Sequence, residues 1–210
     1  MIRVLVTGMS GTGKSTVIEE LAARGYKAID TDDDGLSELV SVPDDVPTGL
    51  DPGQDWVWRE DRIQELLSTD DADVLFLGGC SPNQGQFYPR FDHIVLLTAP
   101  AHVIVERLVT RTNNPYGKRP EDVARVLDLL HTVEPLLRRG AGTVIDTTIP
   151  LTQVVAQVLQ PVDARACGKN RRQHLQDGPS RPRKDPALSA GSVERESRVP
   201  DQESPERDEG

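Results

Sequence analysis

Gly8-Met9-Ser10-Gly11-Thr12-Gly13-Lys14-Ser15 satisfies G-x-x-x-x-G-K-[ST], the spacing of a phosphate-binding P-loop. Its flanks have the required character. Ahead of it, Ile2-Arg3-Val4-Leu5-Val6-Thr7 is apolar and β-branched, as a buried parallel strand is. Behind it, Val17, Ile18, Leu21 and Ala22 recur at helical spacing, and Gly25 stands where a C-cap glycine would. Gly8, Gly11 and Gly13 let the backbone turn tightly and bring N–H groups up to phosphate oxygens. The following helix N-terminus adds partial positive charge aimed at the same anion. The nucleotide-binding set is therefore Gly8, Gly11, Thr12, Gly13, Lys14, Ser15 and Thr16. Lys14 is expected to reach the β- and γ-phosphates and the Ser15 hydroxyl to ligate Mg2+, so ATP and Mg2+ are the implied cofactors.

Working outward, 210 residues leave room for one α/β domain and a tail. Net charge is −10, which disfavours nucleic acid as the main partner, because phosphate backbones need basic surface. The two cysteines, Cys80 and Cys167, have no metal or redox spacing and suit a reducing cytosol, so the expected location is cytoplasmic. No apolar run approaches a membrane span, and the first strand leads directly into the P-loop with no signal peptide before it. Aromatic residues make up 4%, so aliphatic side chains must build the core.

Charge divides the chain. Residues 1–163 carry 14 Lys/Arg against 25 Asp/Glu, and residues 164–210 carry 10 against 9. The second stretch is rich in Pro, Ser, Gly, Arg and Glu, too poor in apolar side chains to offset its ordering entropy. The expected organisation is a domain over 1–161 and a disordered tail over 162–210. A partner-binding arm led by Lys169-Asn170-Arg171-Arg172 is the alternative for the tail.

Further elements follow in order. Lys27 to Asp30 is a short second strand ending in Asp30-Thr31-Asp32-Asp33-Asp34. Pro43, Pro47, Gly49, Pro52 and Gly53 make residues 41–55 a loop, and Trp56 to Leu67 reads as a helix. Asp73 to Leu77 and His93 to Leu97 are strands, Ala101 to Thr110 a helix, and Pro120 opens a helix running to about Arg139. Thr143 to Asp146 is a fifth strand and Leu151 to Leu159 a closing helix. Strands alternating with helices predict a three-layer P-loop NTPase fold with a five-stranded parallel sheet. Ligands in such sheets sit beyond the carboxyl ends of the strands: Gly8 onward, Asp30 onward, Gly78-Gly79, Thr98 and Thr147.

Over about residues 1–160 the chain resembles the small P-loop kinases, the shikimate and gluconate kinase group with adenylate kinase as a more distant relative. Asp30-Thr31-Asp32 resembles the D-x-D element of shikimate kinases. Trp58-Arg59 sits where that family has an aromatic-arginine pair in its acceptor-binding region, and Leu77-Gly78-Gly79-Cys80 resembles its triple-glycine turn. Arg111-Thr112 and Arg119-Pro120 resemble the arginines bracketing its helical lid, and Asp146-Thr147-Thr148 the start of its adenine loop. Two departures stand out. Cys80 replaces the third glycine, and the family's shikimate-carboxylate arginine, two residues before a Pro-Leu pair, is absent because Val133-Glu134 precede Pro135-Leu136. The resemblance therefore implies ATP chemistry more strongly than shikimate as acceptor.

The resemblance also supplies roles. Asp30 is expected to hold Mg2+ opposite Ser15, through water. Asp32 is expected to accept the proton of the acceptor hydroxyl, with Asp33 and Asp34 as alternatives that spacing leaves open. Arg59, Gly78 and Gly79 are expected at the acceptor, although Arg59 could equally pair with neighbouring acids on a helix surface. Arg111 and Arg119 are expected to close over ATP, Arg119 neutralising phosphate charge with Lys118 as a possible substitute, and Thr147 to border the base. The expected function is a monomeric ATP-dependent small-molecule kinase acting on a hydroxyl or phosphate acceptor. The alternative is a regulatory ATPase or nucleotide-dependent binding module without an acceptor.

Overall fold

In the computed structural model, residues 1–32, 35–112 and 114–176 are described, with only the helical course given for 165–176. Five strands form one parallel sheet: β1 (Ile2–Thr7), β2 (Lys27–Asp30), β5 (Val74–Gly78), β6 (His93–Thr98) and β7 (Thr143–Asp146). Their spatial order is β2-β5-β1-β6-β7. After β1 the chain builds toward one edge, then crosses to the other with β6. The two directions part beside β1, and the crevice there lies beyond its carboxyl end.

Side-chain alternation explains the three layers. Val4 and Val6 of β1, Val74 and Phe76 of β5, and Val95 and Leu97 of β6 face α1 (Lys14–Ala23) and α6 (Leu151–Gln176), where they meet Val17, Leu21, Val155 and Val158. Leu5, Leu75 and Leu77 point the other way, onto Ile63 and Leu67 of α2 (Glu60–Ser68) and onto Phe87 in the 3-10 turn Gln84–Arg90. Strands buried on both faces must be apolar nearly throughout, as these are.

Three departures from the sequence reading have physical reasons. Residues 41–55 are not all loop, and Trp56 does not open a helix. β3 (Ser37–Ser41) and β4 (Gln54–Trp58) form a separate antiparallel ribbon, with Ser37 opposite Trp58 and Leu39 opposite Trp56. Trp-Val-Trp suits a pleated, half-buried surface, and only the span between the strands carries the prolines. The helix expected from Pro120 to Arg139 is two, α4 (Pro120–Thr132) and α5 (Glu134–Gly140), broken at Val133. Pro135 has no N–H to continue the ladder but fits the first turn of a new helix.

The third departure is at the end. α6 does not stop near Leu159 but continues through Pro161 to Gln176, and Val162 is 7% exposed in the core. Burial of that valine offsets the hydrogen bond that Pro161 denies the carbonyl one turn earlier. The expected domain boundary thus falls within α6, and residues 177–210 of the expected tail lie outside the described residues. No helix among the described residues is long and apolar enough to cross a membrane.

Trp58 ties the ribbon to the sheet. It is 1% exposed, its indole N–H donates to Thr31 Oγ1 at 3.1 Å, and its carbonyl accepts from the Asn83 amide at 2.9 Å. Trp56, half exposed, makes no comparable anchor. Trp58→Ala should therefore cost about 3–5 kcal/mol. Trp56→Ala should stay within about 0.5 kcal/mol of wild type. Urea unfolding of both variants checks this, and equal losses would count against the ribbon.

Candidate active site

β1 ends at Thr7, and the P-loop begins under severe crowding. Gly8 has φ +152°, and a Cβ there would lie 2.4 Å from the Leu97 carbonyl oxygen and 2.8 Å from Thr12 Oγ1. Only glycine lets the loop cross β6 this closely. Thr12 is fully buried and donates to the Met9 carbonyl at 2.7 Å, which closes the loop on itself. Gly13 then caps α1, so Lys14, Ser15 and Thr16 form its first turn. Lys14 Nζ donates to the carbonyls of Gly8 at 2.9 Å and Met9 at 3.3 Å. Those are weak acceptors compared with a phosphate oxygen, to which the same ammonium could turn.

This loop lines a cavity of about 540 Å3. Ser10 to Thr16, Asp32, Arg107, Arg111 and Thr147 border it, with Ile149 and Val154 adding apolar surface. The fold thus brings together most of the expected nucleotide set. Asp32 follows β2, its backbone N–H held by Asp30 Oδ1 at 3.1 Å, and its charge lies near Arg111 and Cys80. Asp33 and Asp34, the alternative bases, lie outside the described residues, as does Asn113 of the lid segment.

Asp30 ends β2 just before Asp32. It is 7% exposed, and its Oδ2 is buried with no hydrogen-bond partner among the described residues. A buried carboxylate oxygen left unpaired is costly unless a cation or an ordered water meets it. The Ser15 hydroxyl lines the cavity, whereas Asp30 is not among its lining residues.

Arg111 lines the cavity from the end of α3 (Ala101–Thr110). One Nη donates to the Tyr116 carbonyl at 2.7 Å, while Nε is buried without a partner among the described residues. Burial draws its pKa down from the ordinary arginine value, and the charges of Tyr116 and Asp32 oppose that shift. A half-buried guanidinium with an unused donor is suited to an incoming anion.

Arg119 is placed elsewhere. It precedes α4, pairs with Asp122 at 2.7 Å and with Asp51 at 3.5 Å, and does not line the cavity. Asp122 is 2% exposed and also accepts the Gly117 N–H; Arg119 holds its carboxyl below the usual range. Lys118 caps the end of α3 through the carbonyls of Val109 and Arg111. Arg59 stands at the start of α2, 3.9 Å from Asp61. Gly78 and Gly79 close β5, and a Cβ on Gly79 would sit 2.0 Å from Thr31 Oγ1. Beside them Cys80 is half-buried, and burial pushes its thiol pKa up, so it is no thiolate nucleophile at neutral pH.

Sequence reasoning missed Arg107. From α3 its Nη1 donates to Thr147 Oγ1 at 2.8 Å and to the Gly11 carbonyl at 3.3 Å, and its Nη2 to the Thr147 carbonyl at 2.7 Å. Thr147 is itself pinned to the Thr98 carbonyl through its N–H at 2.9 Å. One guanidinium therefore spaces the phosphate loop from the β7–α6 loop across the cavity. Its place four residues before Arg111, on the same helix face, was the available signal.

A crevice beyond β1 of a parallel sheet, floored by a P-loop and faced by Asp32, Arg107 and Arg111, defines a P-loop nucleotide enzyme. Comparison with known proteins narrows the class. The AAA domain family matches residues 4–128, more than half of the chain. The chain is 29% identical over 164 residues to shikimate kinase 2 of Yersinia enterocolitica serotype O:8 / biotype 1B, covering 74% of this chain and 92% of that protein. It is 30% identical over 161 residues to the shikimate kinase of Halorhodospira halophila, covering 70% and 84%. Among solved structures, the shikimate kinase from Acinetobacter baumannii in complex with shikimate shares the fold, with a TM-score of 0.51 at 20% identity over 79% of this chain and 94% of that one. The chain belongs to the AAA-domain P-loop family, within its group of small kinases that includes the shikimate kinases. It is an ATP-dependent phosphotransferase.

Arg107→Met should weaken binding of a fluorescent ADP analogue by about tenfold or more, the worth of charge-assisted hydrogen bonds lost at a cavity wall. Arg107→Lys should recover only part, since an ammonium lacks the planar fork that spans both loops. An affinity within about twofold of wild type in Arg107→Met would remove the strut from the account.

Proposed function

We propose that the protein transfers the γ-phosphoryl group of ATP-Mg2+ to a hydroxyl or phosphate group on a small molecule. The observation that carries this reading is the single cavity in which Lys14 and Ser15 face Asp32, with Arg111 alongside. An acceptor oxygen attacks the γ-phosphorus, the bond to the β,γ-bridging oxygen breaks, and its electron pair leaves with ADP. Asp32 takes the proton of a hydroxyl acceptor. Lys14 and Arg111 offset the charge on the transferring group, and Ser15 and Asp30 hold Mg2+, which supplies further charge neutralisation when bound. Thr147, fixed by Arg107, borders the nucleotide. Gly78 and Gly79 are bare because Ile18, Thr31 and Trp58 pack against them, and they would meet the acceptor only through their backbone. Arg119 takes part only after leaving Asp122 and Asp51, and Arg59 only after turning from Asp61.

Shikimate is the acceptor in the names of the related enzymes. For this chain Val133 argues against it: the side chain packs against the Met9, Leu96 and Leu137 cluster instead of offering a cation. A regulatory ATPase is the second reading, and acceptor dependence separates the two.

Lys14→Ala should abolish phosphoryl transfer and leave the fold intact, because its ammonium contacts only loop carbonyls. Asp32→Asn should keep ATP-Mg2+ affinity within about threefold and lower acceptor phosphorylation by roughly 10²–10⁴. Asp30→Asn should instead weaken Mg2+-dependent nucleotide binding. Isothermal titration and a coupled ADP assay with one surrogate acceptor give both parameters. Equal loss of nucleotide affinity in the two aspartate variants would refute the division of labour, and hydrolysis indifferent to every acceptor would favour the ATPase.

A further inference from the structure

Four charged side chains meet where the β3–β4 connection approaches α4: Asp51, Arg119, Asp122 and Arg125. Arg119 forks onto Asp122, with Nη2 donating to Oδ1 at 2.7 Å and Nε to Oδ2 at 3.3 Å, and it reaches Asp51 at 3.5 Å. Arg125 gives one Nη to Asp51 and the other to Asp122 at 3.4 Å. Each acid therefore touches both arginines. The arginines differ in burial: the Arg119 side chain is 56% exposed and that of Arg125 22%.

Burial of the acids decides which arginine is able to leave. Asp51 is exposed, so water replaces a lost partner at little cost. Asp122 is buried, and a buried carboxylate stripped of its cation is strongly unfavourable. When Arg119 departs, Asp122 keeps Arg125 and the Gly117 N–H at 3.2 Å. Without Arg125, Arg119 is the one cation left to Asp122 among the described residues, and its departure would orphan the buried charge. Arg125 also lines a void of about 350 Å3 between the connection and α4, so it has room to close onto Asp122.

Arg119 stands near the nucleotide cavity. It follows Gly117 by two residues, and the Tyr116 carbonyl just before that glycine accepts from Arg111 on the cavity wall at 2.7 Å. Lys118, between them, is tied to the Val109 and Arg111 carbonyls. The oxygens of a triphosphate carry more charge than a carboxylate that already shares a second arginine, so they compete well for Arg119.

We propose that Arg125 is a positioning residue: as resident counter-ion of Asp122 and Asp51, it frees Arg119 to exchange those carboxylates for the phosphates of a bound nucleotide. The exchange rests on the reading above that places ATP-Mg2+ in the nucleotide cavity.

AMP-PNP with Mg2+, titrated calorimetrically into the full chain, is the probe. Arg119→Gln and Arg125→Gln should each weaken binding about tenfold, and the double variant should lie within about twofold of either, because Arg125 acts through Arg119. Asp122→Asn added to Arg125→Gln should restore affinity to within about threefold of wild type, since no buried charge then detains Arg119. A merely structural Arg125 predicts the opposite: additive losses, and no rescue by removing a further polar group. Either result overturns the proposal, as does wild-type affinity in Arg119→Gln or Arg125→Gln. Should Arg125→Gln not fold, Asp51→Asn decides. That exposed change should tighten AMP-PNP binding about threefold in the wild-type chain and not in Arg119→Gln, and equal affinities with and without it overturn the proposal.

ATP consumption with shikimate, gluconate or glycerol separates this exchange from the kinase reading. Coupled arginine variants with no acceptor-dependent consumption keep the exchange and refute the kinase. Acceptor-dependent consumption with uncoupled variants does the reverse, and no AMP-PNP binding to wild type overturns both.

Discussion

The close passage of Gly8 over the Leu97 carbonyl sets the rest of the structure. With a Cβ position 2.4 Å from that oxygen, the loop after β1 can lie against β6 only as bare backbone. Lying there, it points its N–H groups and the start of α1 into the crevice beside β1. Neighbouring elements are then fitted to it. α3 places Ile104 under Gly11, and Arg107 reaches from the same helix to both Gly11 and Thr147. Removing the close approach would leave no fixed edge for these contacts to register against.

Opposite the phosphate loop, a second constraint holds the acid side. Trp58 fills the space between the ribbon and the sheet and bonds Thr31, and Gly79 is kept bare by that same threonine oxygen. Thr31 sits between Asp30 and Asp32, so an indole on β4 fixes the backbone from which both carboxylates project. The ribbon is small, yet through Trp58 and Thr31 it braces the backbone that carries Asp32 to the nucleotide cavity.

Charge is distributed against the average. The chain carries −10, but the cavity wall holds Lys14, Arg107 and Arg111. A cationic cleft in an acidic chain focuses field on a small anion. The remaining cations near the cleft are committed: Arg119 and Arg125 to Asp122 and Asp51, Lys118 to the end of α3. What distinguishes one arginine from another here is its partner rather than its position in sequence.

The P-loop, the five parallel strands and the strand-end acids were legible in the residues, because each is a local pattern: glycine spacing, β-branched runs, and carboxylates where a strand must stop. The β3–β4 ribbon was not, since prolines in its connection mask a pairing that forms only across the twelve residues 42–53. Nor was the passage of α6 through Pro161, where a buried valine outweighs a local helix breaker. Sequence alone determined that this chain carries a phosphate-binding loop and at which end of the strands it lies. Tertiary structure alone decided which arginine faces the cavity, because Arg107, Arg111, Arg119 and Arg125 are equivalent as residues, and differ only in the carbonyls and carboxylates that the fold sets beside them.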